Sequence, residues 1–328
     1  MDKKLVVSPS PHIHSGASTQ NLMRDVIIAL VPAFIVSVLF YGLPALITTA
    51  IAVCSAVIFE FLISKYILNV KPSICDYSAA LTGFLLAFNL PSDISWWIVV
   101  IGSLVAIGIA KMSYGGLGKN LFNPALVGRV VLLISFPAQM TTFSMVQNSA
   151  EVDATSGATF LTFVKSAVRN DIPLSEALDN IDIFEMLIGK QSGSLGEISA
   201  IALLLGFAYL LYRKVITWHI PVSVLGAMIV FSGILWAVNS DVYLNPVYQI
   251  VSGGALLGAI YMATDYVTSP MNPKGMIIFG VGIGVITILI RTWGAYAEGM
   301  SFAILIMNAA TPLINKYTRP KRFGEIVK

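Results

Sequence analysis

Charge is scarce in this sequence, at 11% of residues, against about 25% in a typical soluble chain. Hydrophobic residues make up 56%, more apolar surface than a water-soluble fold of this length can hide, so lipid is the expected solvent for most of it. The net charge of +3 leaves no electrostatic footprint for a nucleic acid partner. Cysteine is nearly absent. Cys54 and Cys75 cannot by themselves build an iron–sulfur or zinc site, and both read as small hydrophobes. Histidine is as rare: His12 and His14 alternate on the N-terminal tail and His219 opens an apolar segment, so no metal site is expected. There is no glycine-rich phosphate loop after a strand and no Ser–His–Asp constellation, which excludes nucleotide binding of the usual kind by this chain alone. The tail over 1–24 is polar and mixed, and no cleaved signal peptide is expected.

What is present is apolar helix after apolar helix. The hydropathy pattern predicts an all-α polytopic membrane protein of about ten segments, each near the ~20 residues needed to span a bilayer. The first five run over 25–41, 43–63, 76–90, 95–111 and 120–136, and the second five over 197–212, 220–238, 249–264, 276–292 and 299–315. Segments three and eight are short and glycine-rich, as broken or re-entrant helices are. The domain reading is a tail (1–24), a first five-helix set (25–136), a long polar loop (137–196), a second set (197–315) and a basic tail (316–328). Leu81–Ala87 resembles Leu256–Met262, and Phe122–Ala125 resembles Met307–Ala310, each pair five segments apart. The two sets therefore read as inverted repeats, an arrangement that builds sites at mid-membrane.

Lys and Arg set the orientation. With the N-terminus in the cytoplasm, that side collects Lys3, Lys4, Arg24, Lys65, Lys71, Lys111, Lys119, Arg213, Lys214, Lys274, Lys316, Arg319, Lys321, Arg322 and Lys328. The other side keeps Lys165, Arg169 and Lys190, with Arg291 near an outer helix end. Both termini are thus expected inside and the long loop outside. That loop is acidic, and 173–189 alternates at helical spacing, which predicts a helix capping the membrane core.

Four positions carry candidate chemistry within the apolar segments and their edges. Arg129, central in segment five, costs about 2.5–3.5 kcal/mol to insert, so it is expected to face protein, as a partner for a bound anion or for carbonyls of a broken helix. Glu60, Asp76 and Asp265 lie near the cytoplasmic boundary and are candidates for taking up Na⁺ or a proton, with snorkelling to the interface as the simpler expectation. In the outer loop, Asp153-Ala154-Thr155-Ser156-Gly157-Ala158-Thr159 offers a hydroxyl from small residues. Gly157 lets the backbone bend and Ala158 adds no bulk, so Thr159 can be presented to a modifying enzyme, with Asp153 orienting the attachment.

That string resembles the flavinylation motif of the RnfD/NqrB family of flavin-bearing membrane subunits. Further likenesses are Ser10–Gly16, Asn120-Leu121-Phe122-Asn123-Pro124-Ala125, Gly193–Glu197 and Met262-Ala263-Thr264-Asp265, in order along nearly the whole chain. The total length is more like the D subunit of an Rnf complex. Tyr266 departs from the pattern, standing where a Thr-Asp-Pro turn has proline. The resemblance implies a urea-transporter-like fold and FMN joined to Thr159 by a phosphoester. It implies non-covalent riboflavin as a second cofactor. It also implies a place among the other Rnf subunits, in the cytoplasmic membrane of a bacterium or archaeon, with a flavin transferase as modifying partner. By resemblance, such a complex passes electrons between ferredoxin and NAD⁺ while moving Na⁺ or H⁺. With both redox partners inside, an outer flavin needs electrons to go out and return. Each crossing exchanges about 2.3 kcal/mol per 100 mV with the membrane potential, and the two legs cancel. The rival expectation is a passive channel for a small neutral solute, in which Thr159 is an ordinary loop residue.

Overall fold

The computed structural model describes residues 18–70, 74–144, 156–157, 159–170, 172–178, 183–189 and 192–320. Five of its helices are long and apolar enough to cross a membrane: Thr19–Tyr41, Leu43–Ile67, Trp96–Tyr114, His219–Val238 and Pro273–Trp293. Leu39, Leu43, Val230 and Val238 point outward from them, more than 60% exposed. Water would penalise that apolar surface and lipid does not. Cys54 and Cys75 are on this exterior too, exposed and unbridged.

The chain begins with α1 (Thr19–Tyr41) and α2 (Leu43–Leu62), separated by Gly42 at φ 67°. A π-turn over Ile63–Ile67 extends α2. The short α3 (Ser78–Phe88) follows, then α4 (Trp96–Leu104) with a second π-turn over Val105–Ile109, and α5 (Pro124–Ser135). Segment three is thus 11 residues of helix, short as expected, and segment five is 12, not the span of about 20 that hydropathy suggested. The reason at α5 is local. Asn123 accepts hydrogen bonds from Ala125 and Leu126 N–H at 3.1 and 3.4 Å, and Pro124 occupies the first helical position, so the helix starts there.

Next come α6 (Pro137–Thr141) and the two-residue strands β1 (Phe143–Ser144) and β2 (Ser156–Gly157), paired antiparallel. The polar region then forms α7 (Phe160–Arg169), α8 (Leu174–Ala177) and α9 (Ile183–Ile188). The expected single helix over 173–189 is therefore two short helices, and α7 was not anticipated. The second apolar set is α10 (Ala200–Tyr212), α11 (His219–Val238), α12 (Pro246–Val251), α13 (Ala255–Leu257), α14 (Pro273–Trp293) and α15 (Met300–Tyr317). Segment eight is broken between α12 and α13 at Gly253, φ 65°, and a third π-turn, Gly258–Met262, continues α13.

The packing pairs α2 with α3 and α4, α11 with α12 and α14, α1 with α10, and α5 with α15. At the α11–α14 crossing, a Cβ on Gly284 would lie 2.6 Å from the Val224 carbonyl oxygen, so only glycine allows that approach. One large core, from Leu30 and Phe88 to Phe279 and Ile304, joins both sets. α3 and α5 contribute Leu86, Phe88, Leu126 and Leu132 to it. Buried polar side chains stand at their ends, Asn89 after α3 and Asn123 before α5.

Candidate functional site

At one end of α3 and α5 lies an open cleft of about 740 Å³, solvent at its mouth included. Thr159 stands on its rim. The sequence there dictates a helix start: Thr159 is extended (φ −64°, ψ 154°) and its hydroxyl accepts the Thr162 N–H at 3.3 Å. The two hydroxyls, Thr159 and Thr162, are 2.7 Å apart. Leu161, Val164 and Ala167 form the buried stripe of α7, packed against Leu174 and Leu244. Lys165 donates to the Gly294 and Tyr296 carbonyls and clamps α7 to the α14–α15 loop. Burial, then the neighbouring Arg169, pushes the Lys165 ammonium below its ordinary value. Phe143, Phe160, Tyr296 and Phe302 supply flat apolar walls, with Tyr296 stacked on Phe302 at 5.0 Å and Phe160 on Tyr248 at 5.5 Å.

The floor of the cleft is charged. Arg129 is 8% exposed and donates to Asn89 Oδ1 at 2.7 Å, to Ser301 Oγ at 2.8 Å and to the Glu298 carboxylate. Its guanidinium is also 3.8 Å from Glu197 Oε1. Arg129 therefore reaches the same cleft as Thr159, but as a compensated cation. Two carboxylates, Glu298 and Glu197, face it. The carbonyls of a broken helix are served instead by Arg291, which donates to the Gln249 and Ser252 carbonyls at 2.5 and 3.1 Å. Glu298 accepts the Gly254 N–H at 2.6 Å, where α13 starts.

The two carboxylates are held differently. Burial pushes Glu197, in the turn before α10, up to about 7, with Glu298 adding to the rise and Arg129 opposing it. Burial also raises Glu298, but Arg129 and Arg291 outweigh it and hold Glu298 below the ordinary carboxylate range. One acid is poised to carry a proton near neutrality while the other stays ionised.

A second pocket, about 780 Å³ with its mouth, lies at the opposite end of α3 and α5. Ser78, Lys111, Asn120, Asn123, Asp265 and Tyr266 supply its polar groups. Asp265 accepts the Thr268 hydroxyl at 3.1 Å, and burial pushes its carboxyl above the ordinary range. Tyr266, in the place of the expected proline, donates its phenol to the Val215 carbonyl and ties the turn down. Glu60 is 0% exposed, in an ion pair of 2.5 Å with Lys111, itself 2% exposed. Snorkelling is thus corrected for Glu60: its side chain is buried, and a buried ammonium meets the carboxylate there. Asp76 is half-buried and accepts the Ser78 hydroxyl at 2.6 Å.

Polar side chains also link the two pockets. Asn89, bonded to Arg129, donates to the Leu85 carbonyl at 2.6 Å and contacts Met262 Sδ at 3.6 Å. Asn123 donates to the Met262 carbonyl at 3.1 Å, at the end of the third π-turn. The structure brings together Thr159 with Arg129, and Asp265 with the partner of Glu60. Of the attachment string, Ser156 and Gly157 form β2, while Asp153 and Ala158 lie outside the described residues. Sequence reasoning missed Glu298, Asn89, Ser301 and the role of Arg291. A charged residue in a short loop next to a buried arginine was the only signal for Glu298.

A model of the NQR2, RnfD, RnfE family matches residues 6–324. The chain belongs to this family. The D subunit of the Na⁺-translocating ferredoxin:NAD⁺ oxidoreductase complex of Acetobacterium woodii is 44% identical, over 98% of this chain and 95% of that protein. The D subunit of the proton-translocating ferredoxin:NAD⁺ oxidoreductase complex of Clostridium ljungdahlii is 43% identical, over 97% and 96%. The D subunit of the ion-translocating oxidoreductase complex of Aliivibrio salmonicida is 36% identical, over 97% and 98%. Family membership thus covers both pockets and every helix that builds them.

Proposed function

We infer that this chain is the membrane subunit of an ion-translocating oxidoreductase complex of the ferredoxin:NAD⁺ type, carrying electrons through FMN esterified to Thr159. The subunit role follows from full-length likeness to the D subunits of such complexes. The other Rnf subunits are its partners, and it is not catalytic alone. The FMN reading rests on one observation: the Thr159 hydroxyl lines an aromatic-walled cleft, at the start of a ten-residue helix. The first N–H groups of α7 and the positive end of its dipole favour a phosphate there. Rings of Phe143, Phe160, Tyr296 and Phe302 offer faces for a flat heterocycle. Bound there, FMN would supply one- and two-electron redox chemistry. The chain's own part is to hold the phosphoester, keep water from the inner wall and offer the Glu197 proton.

The same reading takes the Thr159 end as extracytoplasmic and both termini as cytoplasmic, in the cell membrane of a bacterium or archaeon, because Lys and Arg gather on the other side. It takes residues 25–136 and 197–315 as inverted five-segment sets, for which the matched pairings α2–α4 with α11–α14 and α4–α5 with α14–α15 speak. The loop over 137–196 then bears the flavin. The pocket with Asn120, Asn123 and Asp265 suits a neutral, amide-bonding ring such as riboflavin. It is also where Na⁺ or H⁺ would enter past Asp265 and Glu60.

The test is covalent flavin. The chain is expressed with a flavin transferase, denatured and viewed for in-gel fluorescence. A fluorescent band is expected for wild type and for Thr155→Val, and none for Thr159→Val. A dark wild-type band, with a transferase active on another target, overturns the FMN reading.

A further inference from the structure

We propose that Lys111 is a tethered cation: its ammonium fills a site for a Na⁺-sized ion between Glu60 and Ser78, and a transported ion takes that place when the side chain leaves. The proposal rests on the reading above only in supposing that the complex moves an ion.

The site is made of oxygen. The Lys111 Nζ is 2.5 Å from Glu60 Oε2 and 2.6 Å from Ser78 Oγ, and that hydroxyl is 2.6 Å from Asp76 Oδ1. One carboxylate and one hydroxyl meet the ammonium, and a second carboxylate, Asp76, accepts from that hydroxyl; oxygen donors of this kind hold hard cations. The pair is also sealed. Lys111 is among the largest fully buried side chains of the protein, and Glu60 has no exposed surface. Removing the ammonium takes the counter-charge away from a buried carboxylate.

Two features distinguish this pair from a strut between helices. Lys111 and Ser78 both line the wall of the inner pocket, and Asp265 lines the same pocket. The two helices that bring Glu60 and Lys111 together each carry a π-turn beside the charged residue, Ile63–Ile67 after Glu60 and Val105–Ile109 before Lys111. Such turns recur where a helix must rearrange or serve a site.

The experiment uses the whole complex, with wild type, Lys111→Met and the double variant Glu60→Gln/Lys111→Met. Each is melted in NaCl and in choline chloride at equal ionic strength. For Lys111→Met, Na⁺ is expected to raise the melting temperature by about 3 °C or more over choline, because a free ion fills the vacated site. Wild type and the double variant are expected to melt alike in both salts. Equal melting of Lys111→Met in the two salts overturns the proposal, and so does an equal Na⁺ shift in wild type. Where Lys111→Met assembles only when NaCl is present, the proposal is supported. Failure to assemble in both salts overturns it, whatever the double variant does. Melting involves no ferredoxin, NAD⁺ or flavin. Failure of the wider reading would show instead as wild-type membranes that move no ion during turnover.

Discussion

The two buried charge clusters at opposite ends of α3 and α5 solve the same problem on different plans. At the Thr159 end, Arg129 shares its donors among Asn89, Ser301 and Glu298, with Glu197 close by and Arg291 on the far side of Glu298. At the other end, Lys111 has one carboxylate and one hydroxyl. A planar guanidinium spreads its charge over several acceptors, whereas an ammonium is a point charge that concentrates it. The first cluster is redundant: losing one member leaves the others bonded. The second has little in reserve. A shared network suits a floor that must keep its shape beneath a cofactor, and a single pair suits a place where one cation gives way to another.

Breaking each cluster by one isosteric change sharpens that contrast. Glu60→Gln leaves the buried Lys111 ammonium without its counter-charge and is expected to destabilise the chain by about 3–5 kcal/mol. Thermal melting of the complex, against wild type in the same buffer, measures it. Glu298→Gln should cost less, about 1.5–3 kcal/mol, because Arg129 keeps Asn89, Ser301 and Glu197 while one charged hydrogen bond is lost. A loss as large as that of Glu60→Gln would mean that the cluster is not redundant.

Glu197→Gln should have an effect that depends on pH. The folded carboxyl holds its proton to about 7, from an ordinary value of 4.5. Between those values the native state binds more protons than the unfolded one, so wild-type stability falls as pH rises through that window. The variant lacks this dependence. The melting temperature of wild type minus that of Glu197→Gln should therefore drop from pH 5 to pH 8, and a flat difference would exclude the shift. The smallest effect is expected for Tyr41→Phe. Its phenol donates to the Gly193 carbonyl at 2.8 Å and accepts the Gly193 N–H at 3.2 Å. Losing them should cost about 0.5–1.5 kcal/mol in melts, while leaving both charge clusters intact.

How much of this was legible beforehand varies by residue. Asn123-Pro124 announces the start of α5, because a side-chain cap and a proline at the first helical position are local chemistry. The buried stripe Leu161, Val164, Ala167 of α7 was equally local and went unread, since the polar loop around it drew attention to the hydroxyl string instead. Glu60 was misjudged for another reason. Whether an acid near a helix end reaches water depends on what packs over it, and Lys111 lies 51 positions away. Glu298 could not be paired with Arg129 from spacing, with 169 positions between them. Segment five looks long enough to span in hydropathy because apolar residues continue past the helix ends.

By itself the sequence determined the solvent, the run of apolar helices, the side that gathers Lys and Arg, and the hydroxyl string ending at Thr159. Composition and nearest-neighbour chemistry suffice for each of these. Only the tertiary structure decided that α5 stops short and that Arg129 meets Glu298. It alone brought Lys111 onto Glu60, because burial and charge pairing between distant positions exist only once the helices are packed.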